Sequence, residues 1–282
     1  MDFKGKTAVV TGSSGGIGKG VAIALAKEGV DIVLASRNVP NMELVKKEIE
    51  SLGQRAIVVK CDVSKDEDVF KMKDIALEAF GNIDILINNA AVGVRGLLEN
   101  VKMEDWNFIV NTNLLGYVRN VMAFLPHFMA RKSGYIVNVS TIQALGFTAE
   151  KLNIPYITTK AGILGLSECL YGYLGPMGVK VSCLVPGAVA TEISRNSRFV
   201  GTPEQQKEMR QRDEQFSKLP FFMTSEQQAA GLLEGMRRED YIILVPDSRK
   251  MLMPQGRDID TLNAFLKKAI LPGAQIFPPR NT

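Results

Sequence analysis

The chain has 282 residues, of which 46% are hydrophobic and 23% are charged. This is the composition of a folded globular domain, and it excludes an intrinsically disordered or fibrous protein. The formal net charge is only +4, and the basic residues are scattered rather than clustered. A nucleic-acid-binding surface is therefore not expected.

Seven short runs rich in apolar and β-branched residues predict β-strands. They lie at residues 7–11, 31–36, 56–60, 83–88, 135–140, 179–185 and 241–245. Segments of helical period separate most of them, and this alternation indicates βαβ units. The runs are almost continuously apolar, as in strands that are covered on both faces. We therefore expect one α/β domain over residues 1–282, with a doubly wound parallel sheet of the Rossmann type.

Several patterns predict helices between and after these strands. Apolar residues repeat at helical spacing from Met42 to Leu52, and the sequence Ser64–Glu67 has the pattern of a capping box. Residues 202–205 and 225–228 have the pattern of helix starts.

The first strand is followed directly by the glycine-rich sequence TGSSGGIG at residues 11–18. At such a strand-to-helix turn, backbone N–H groups and the helix dipole can hold a pyrophosphate. We expect Gly12 to permit the tight turn, and Gly16 and Gly18 to allow the backbone to approach a ligand closely. Ser14 and Ile17 are candidate contacts in the same loop. The alternative is a plain tight turn, which also selects glycine.

The second strand ends in Ala35-Ser36-Arg37-Asn38 and has no acidic residue there. An acid at this place would accept a hydrogen bond from the ribose 2′-hydroxyl of NAD(H) and repel a 2′-phosphate. The Arg37 guanidinium and the Ser36 hydroxyl can instead bind that phosphate, with Asn38 beside them. The sequence therefore favours NADP(H) over NAD(H). The alternative is that Arg37 is an ordinary solvated loop cation.

Tyr156 and Lys160 are four residues apart, which places them on the same face of a helix. A tyrosine has an ordinary pKa of about 10, so proton exchange near neutrality requires a nearby cation. Lys160 is the candidate for that cation. Taken alone, a tyrosine and a lysine at this spacing are usually structural.

In five ordered motifs the chain resembles the short-chain dehydrogenase/reductase family. The sequence at 11–18 is similar to the cofactor loop, CDV at 61–63 to the adenine-contacting segment, and NNA at 88–90 to the fourth-strand motif. Tyr156 and Lys160 match the catalytic pair, and PG at 186–187 matches the nicotinamide-side turn. The resemblance covers about residues 3–191. It implies hydride transfer between a nicotinamide cofactor and a carbonyl carbon, in a homo-oligomer that is a dimer or a tetramer.

The resemblance also implies a role for individual residues. Tyr156 is the general acid or base, Lys160 lowers its pKa and binds the nicotinamide ribose, and Asn113 helps to hold a water molecule in the proton relay. Further residues implied to bind the cofactor are Asp62, Val63, Asn89, Ala90, Pro186, Gly187, Val189 and Thr191. The alternative for these residues is a cap or turn role, and for Asn113 it is an ordinary polar position inside a helix.

Two positions depart from the family pattern. The position of the usual substrate-binding serine is occupied by Thr141, with Ser140 immediately before it, and we favour Thr141 because its hydroxyl can donate the same hydrogen bond. Ala91 replaces a glycine that is more common in the family. No metal is expected, since His127 is the only histidine.

Two other functions stay open at this point. The glycines at 12, 15 and 18 also fit the spacing of NAD-retaining sugar-nucleotide epimerases and dehydratases. A dinucleotide-sensing protein without catalysis would also keep the fold. Tyr156, Lys160 and Asn113 together favour the reductase.

The last third of the chain, the cysteines and the N-terminal residues lead to further expectations. Residues 188–224 are a candidate substrate lid, whose aromatic and methionine residues suggest a moderately apolar substrate, and residues 246–282 form a C-terminal extension. Cys61, Cys169 and Cys183 match no zinc or redox motif, so we expect buried thiols in a reducing compartment. The chain enters a strand without a signal-like segment and has no long apolar run, which predicts a cytoplasmic protein without a membrane partner.

Overall fold

The computed structural model describes residues 1–145, 151–187, 189, 193, 196–216 and 223–245. The strands are β1 (Thr7–Thr11), β2 (Asp31–Ser36), β3 (Ala56–Lys60), β4 (Ile85–Asn88), β5 (Val94–Arg95), β6 (Gly134–Val139), β7 (Val179–Val185), β8 (Arg198–Phe199) and β9 (Ile242–Leu244). The helices are α1 (Gly16–Lys27), α2 (Val39–Ser51), α3 (Asp66–Phe80), α4 (Met103–Asn113), α5 (Leu115–Arg131), α6 (Ile154–Leu174), α7 (Pro203–Phe216) and α8 (Ser225–Arg238).

Seven of these strands form one parallel sheet in the order β3-β2-β1-β4-β6-β7-β9. The order runs outward in both directions from the neighbours β1 and β4, so the predicted doubly wound Rossmann-type fold is confirmed. Helices α1, α2 and α8 pack on one face of the sheet through a buried apolar cluster that includes Leu25, Met42 and Leu232. Helices α3, α5 and α6 pack on the other face around Met72 and Phe124. The carboxyl ends of β1 and β4 therefore open at one common edge.

The predicted elements agree closely with the observed ones where periodicity is strong. Four of the strands have the predicted bounds, and the others differ by one or two residues at an end. The capping box at residues 64–67 is wrong, because Lys65 is the N-cap of α3 and makes no side-chain capping bond. The Ser64 hydroxyl instead donates a hydrogen bond of 2.7 Å to Asp62.

A second, two-stranded parallel sheet is formed by β5 and β8. The sequence analysis did not predict it, because each strand has only two residues and carries no periodic signal. Gly93 and Gly96 flank β5, and a Cβ atom on them would lie 2.3 Å from the Ser197 hydroxyl and 2.4 Å from the Val200 side chain. The glycines therefore let β8 approach closely, which brings the following helix α7 to the open edge of the main sheet.

The structure also tests the predictions of buried cysteines and of no membrane-spanning helix. Cys61 and Cys183 are buried as predicted, but Cys169 is exposed on α6 because it lies on the helix face away from the sheet. None of the helices that the structure describes is both long and apolar enough to cross a membrane.

Candidate active site

A cavity of about 690 Å³ opens at the carboxyl ends of β1, β2, β3, β4 and β6. Its wall contains every predicted site residue that the structure describes, apart from Gly18 and Asn113. Thr191 lies outside the described residues. We name the two ends of this cavity after a residue in each: the Gly12 end, at the turns after β1, β2 and β3, and the Tyr156 end, at β5, α6 and α7.

The turn after β1 is held in place by the segment that follows β4. Gly12 has φ of 67°, a left-handed conformation, and a Cβ atom on it would lie 2.8 Å from the backbone of Ala90. The Asn89 side-chain amide donates to the carbonyl oxygens of Thr11 and Gly12, at 2.9 and 3.2 Å. Asn89 therefore fixes the turn as well as lining the cavity.

The N-terminus of α1 fits the pyrophosphate of a dinucleotide. Its N-cap is Gly15, which has no side chain to cap the helix, and its first turn contains no acidic residue. Gly15, Gly16 and Ile17 all line the cavity. The backbone N–H groups and the positive end of the helix dipole are therefore available to an anion at this place.

The structure shows why position 18 requires a glycine. A Cβ atom at Gly18 would lie 2.3 Å from the carbonyl oxygen of Gly12 and 2.5 Å from the Asn89 amide. The close approach at this position is therefore between α1 and its own preceding turn, and Gly18 is buried outside the cavity wall. That Gly18 also lets the backbone approach a ligand stays a prediction.

Polar side chains from three turns meet where β2 and β3 end. The hydroxyls of Ser14 and Ser36 are 3.0 Å apart, and Arg37 Nη1 lies 4.0 Å from a carboxylate oxygen of Asp62. The Arg37 side chain is about half exposed. Asn38 also caps α2, since its side chain accepts a hydrogen bond from the backbone N–H of Asn41.

Asp62 is held in its charged form at this edge. Partial burial acts to raise its pKa, but hydrogen bonds from Ser64 and the nearby Arg37 and Lys65 outweigh that effect, so the pKa lies below its ordinary value. The same bonds make Asp62 a turn residue, because its carboxylate accepts from the backbone N–H of Ser64 at 3.0 Å. A carboxylate in this state can still accept from a further donor in the cavity.

Lys160 is almost completely buried, with a relative exposure of 1%. Its amine donates to the carbonyl oxygen of Val139 at 2.7 Å and to the hydroxyl of Tyr117 at 3.3 Å. It lies 5.7 Å from the centre of the Tyr156 ring. Helix α6 therefore places the lysine and the tyrosine of the predicted pair on the same wall of the cavity.

This geometry agrees with the comparison to known proteins. The sequence model described as short chain dehydrogenase matches residues 6–199, which is more than half of the chain. The chain belongs to the short-chain dehydrogenase/reductase family. The predicted class, an NAD(P)-dependent dehydrogenase or reductase, is thereby confirmed.

Individual members of the family match most of the chain. Glucose 1-dehydrogenase 2 of Bacillus subtilis is 34% identical over 198 residues, which are 68% of this chain and 74% of that protein. A 3-oxoacyl-acyl-carrier-protein reductase of Staphylococcus epidermidis is 30% identical, covering 67% of this chain and 77% of its own. A short-chain dehydrogenase/reductase from Burkholderia phymatum, solved with NAD, superposes with a TM-score of 0.83 at 25% identity and covers 93% of this chain and 97% of that chain. Actinorhodin polyketide ketoreductase, solved with NADPH, has a TM-score of 0.71 at 25% identity, with coverage of 81% and 89%.

The electrostatics of the family's tyrosine–lysine pair differ here from the sequence prediction. Burial raises the pKa of Tyr156 to about 12, and the cation that offsets part of this effect is Arg95, not Lys160. Burial also lowers the pKa of Lys160 to about 7. The physical reason is that the Lys160 amine is almost fully buried and turned toward the carbonyl oxygen of Val139, which disfavours its charged form, whereas the Arg95 guanidinium is partly exposed at the same end of the cavity.

The two candidates for the family's substrate-binding serine have different surroundings. The Ser140 hydroxyl is buried and donates to the carbonyl oxygen of Lys160 at 2.7 Å, so this bond occupies its proton. Thr141 lines the same cavity and precedes a short 3₁₀ turn, Ile142–Leu145. This arrangement favours Thr141 as the hydroxyl directed to a substrate.

Asn113 has a positioning role in this family member. It is fully buried, and its side chain exchanges hydrogen bonds with the backbone of Val92 at 2.8 and 2.9 Å and donates to the Thr159 hydroxyl at 3.3 Å. Val92 lies on the cavity wall and Thr159 adjoins Lys160. The side-chain amide thus connects α4 to Val92 and to Thr159 on α6. The implied water relay stays a prediction.

Two charged residues of the cavity wall were missed by the sequence analysis. Arg95, on β5, and Asp213, on α7, form an ion pair of 2.8 Å between Nη1 and Oδ1, and both line the Tyr156 end together with Arg212. Arg95 and Asp213 are 118 positions apart. No local pattern connects residues at that separation, so only the fold brings them together.

Proposed function

We propose that the protein is an NADP(H)-dependent oxidoreductase that interconverts a ketone or aldehyde and its alcohol. The observation that carries this proposal is the shared cavity: Tyr156, Lys160 and Thr141 line one end of the space whose other end is formed by the glycine-rich turn. When bound, the nicotinamide dinucleotide donates hydride to, or accepts it from, the reacting carbon. A carbonyl group held at the Tyr156 end would therefore need only a proton donor and a polarising hydrogen bond.

The chain's own residues supply those two needs. The Tyr156 hydroxyl gives the proton to the substrate oxygen during reduction and takes it back during oxidation. The Thr141 hydroxyl donates a hydrogen bond to the same oxygen and stabilises the negative charge that develops on it. Lys160 binds the nicotinamide ribose, and the Arg95 guanidinium at the same end of the cavity stabilises the tyrosinate form of Tyr156.

The preference for NADP(H) rests on the Gly12 end of the cavity. Ser36 and Arg37 stand where β2 ends, and neither position is acidic. The Arg37 side chain is half exposed and its guanidinium makes only a 4.0 Å contact with Asp62, so it is available to a phosphate. Among the similar structures, one holds NAD and another NADPH, so the residues of this chain decide the proposal.

The test is a screen of ketones, aldehydes and alcohols in which the absorbance of the reduced cofactor is followed with NADP(H) and with NAD(H). We expect turnover of at least one pair, with kcat/KM higher for NADP(H). A higher efficiency with NAD(H) would overturn the cofactor preference. Cofactor binding without turnover of any carbonyl or alcohol would instead indicate a sensor.

Three further predictions accompany this proposal. We propose that residues 188–224 act as a substrate lid, supported by the presence of Met209, Arg212 and Asp213 of α7 on the cavity wall. The C-terminal extension, residues 246–282, lies outside the described residues. The homo-oligomeric state and the cytoplasmic location stay predictions, for which light scattering and cell fractionation are the measurements.

A further inference from the structure

The Tyr156 end of the cavity contains charged side chains that the sequence did not indicate. The prediction of a moderately apolar substrate rested on the aromatic and methionine residues near residues 188–224, of which Phe221 and Phe222 lie outside the described residues and Met209 lines the cavity. Phe199 is buried beneath the guanidinium of Arg210, at 4.1 Å, and Met223 packs against the core, so neither lines the cavity. The wall also includes the Arg95–Asp213 ion pair, whose side chains are 26% and 15% exposed.

The backbone fixes Arg95 close to Tyr156. The N–H of Gly96, the next residue, donates to the carbonyl oxygen of Leu152 at 3.0 Å, immediately before α6 begins. The ring of Tyr156 packs against the apolar cluster that contains Val94, the residue before Arg95. The backbone of Arg95 therefore belongs to the same packed unit as the phenol.

The partner carboxylate reaches this place through the small sheet. The carbonyl oxygen of Arg95 accepts from the N–H of Val200 at 2.8 Å, which extends the β5–β8 pairing toward α7. Asp213, on α7, then meets Arg95 across the cavity wall. Both charges face the space in which a substrate bound at Tyr156 would extend.

An intact ion pair selects among the chemical groups of a substrate. An anionic group attracted to Arg95, or to Arg212 on the same wall, meets the Asp213 carboxylate, and a cationic group attracted to Asp213 meets these guanidinium groups. Separating a partly buried pair is costly. A hydroxyl group is both donor and acceptor, so it can accept from a guanidinium N–H and donate to the carboxylate while the pair stays formed. The neighbouring wall residues Gln143 and Asn153 also offer amide donors and acceptors.

We propose that the Arg95–Asp213 pair binds a hydroxyl group of the substrate, and that the substrate class is a neutral, hydroxylated carbonyl compound with its corresponding polyol. This inference rests on the proposed function, because it assumes that the reacting carbonyl lies at Tyr156. In this inference, Arg95 and Asp213 determine which substrate the protein prefers. The chemical step stays with Tyr156.

The test compares three substrates with the same number of carbon atoms. Erythrulose carries hydroxyl groups, butanone carries none, and 2-oxobutanoate carries a carboxylate. In the wild-type protein we expect kcat/KM for erythrulose to exceed that for each of the other two by about tenfold or more, the factor that a lost hydrogen bond to a charged group produces. Arg95→Gln and Asp213→Asn should each reduce the preference over butanone by about tenfold.

A matched control removes another ion pair from the same region. Arg198, on β8, pairs with Asp105 at 3.1 Å and lies over the Phe108 ring, but it is not part of the cavity wall. Arg198→Gln should leave the preference unchanged. Thermal unfolding of each variant shows whether the domain is intact, and calorimetric titration with erythritol in the presence of NADPH, which cannot accept hydride, measures hydroxyl recognition without turnover.

The outcomes separate the inference from the proposed function. Turnover of butanone with no preference for erythrulose overturns the inference and leaves the proposed function standing. A preference for erythrulose that Arg198→Gln reduces as much as Arg95→Gln also overturns it. A preference for 2-oxobutanoate that increases in Asp213→Asn would assign Arg95 to an anionic substrate instead. Erythritol binding that depends on Arg95, without any turnover, supports hydroxyl recognition and overturns the proposed function.

Discussion

The two ends of the cavity are built in different ways. At the Gly12 end, the wall consists of turns that directly follow β1, β2 and β3, so each functional residue is a near neighbour of a strand end in the sequence. At the Tyr156 end, Arg95 on β5 meets Asp213 on α7 across 118 positions, through a small sheet of two-residue strands. The comparison teaches that the wall of the Gly12 end can be read from local motifs, whereas the ion pair at the Tyr156 end depends on long-range packing.

The largest expected effect is at the Tyr156 end. Tyr156→Phe removes the proton donor, so we expect kcat to fall roughly 10²- to 10⁴-fold, the usual contribution of general acid catalysis. Binding of NADP(H), measured by fluorescence titration, should be retained because the Gly12 end is unchanged. Tyr173→Phe is the matched control, since Tyr173 lies on the same helix and is 59% exposed. Wild-type turnover in Tyr156→Phe would refute the assigned role.

The next effect isolates the Gly12 end. Arg37→Gln should weaken NADP(H) binding about 10- to 100-fold, because a hydrogen bond to a charged group contributes roughly 1.5–3 kcal/mol. The affinity for NAD(H) should stay the same, since that cofactor has no 2′-phosphate. Arg55→Gln removes another exposed cation near β3 and serves as the control in the same titration. Equal losses for both cofactors would show that Arg37 is only a general electrostatic contact.

A smaller effect distinguishes the two hydroxyls next to β6. Thr141→Ala should lower kcat/KM about tenfold, as expected for one hydrogen bond to the reacting oxygen, and Thr141→Ser should restore it. Ser140→Ala should instead lower the melting temperature, because it removes a buried hydrogen bond to the carbonyl oxygen of Lys160. Steady-state kinetics combined with calorimetric unfolding separates the two effects. A catalytic loss confined to Ser140→Ala would reverse the assignment.

The smallest effect concerns the buried amine that connects the two ends. Because burial lowers the pKa of Lys160 to about 7, the unfolded chain binds more protons than the folded chain between about pH 7 and the ordinary lysine pKa of 10.5. The contribution of Lys160 to the free energy of unfolding should therefore rise with pH across this interval. Lys160→Met should flatten that dependence in denaturant titrations at several pH values. An unchanged slope in the variant would show that the lysine stays charged in the folded protein.

The accuracy of the sequence predictions follows the same division. The main strands and the wall of the Gly12 end could be predicted because apolar runs and glycine turns are local signals. The spacing of Gly18 cannot show that its neighbour is the carbonyl of Gly12. Helical spacing likewise predicts the proximity of Lys160 to Tyr156, but neither the direction of its amine nor the presence of Arg95.

The sequence by itself determined the fold class, the family, the cofactor turn and the Tyr156–Lys160 pair, because each is encoded by residues close together in the chain. Only the tertiary structure decided which cation faces Tyr156, which of the two hydroxyls after β6 is already occupied, and which charges line the Tyr156 end. Those properties depend on burial and on side chains that meet across the sheet. Neither the dielectric surroundings of a group nor its distant neighbours are contained in a local pattern of residues.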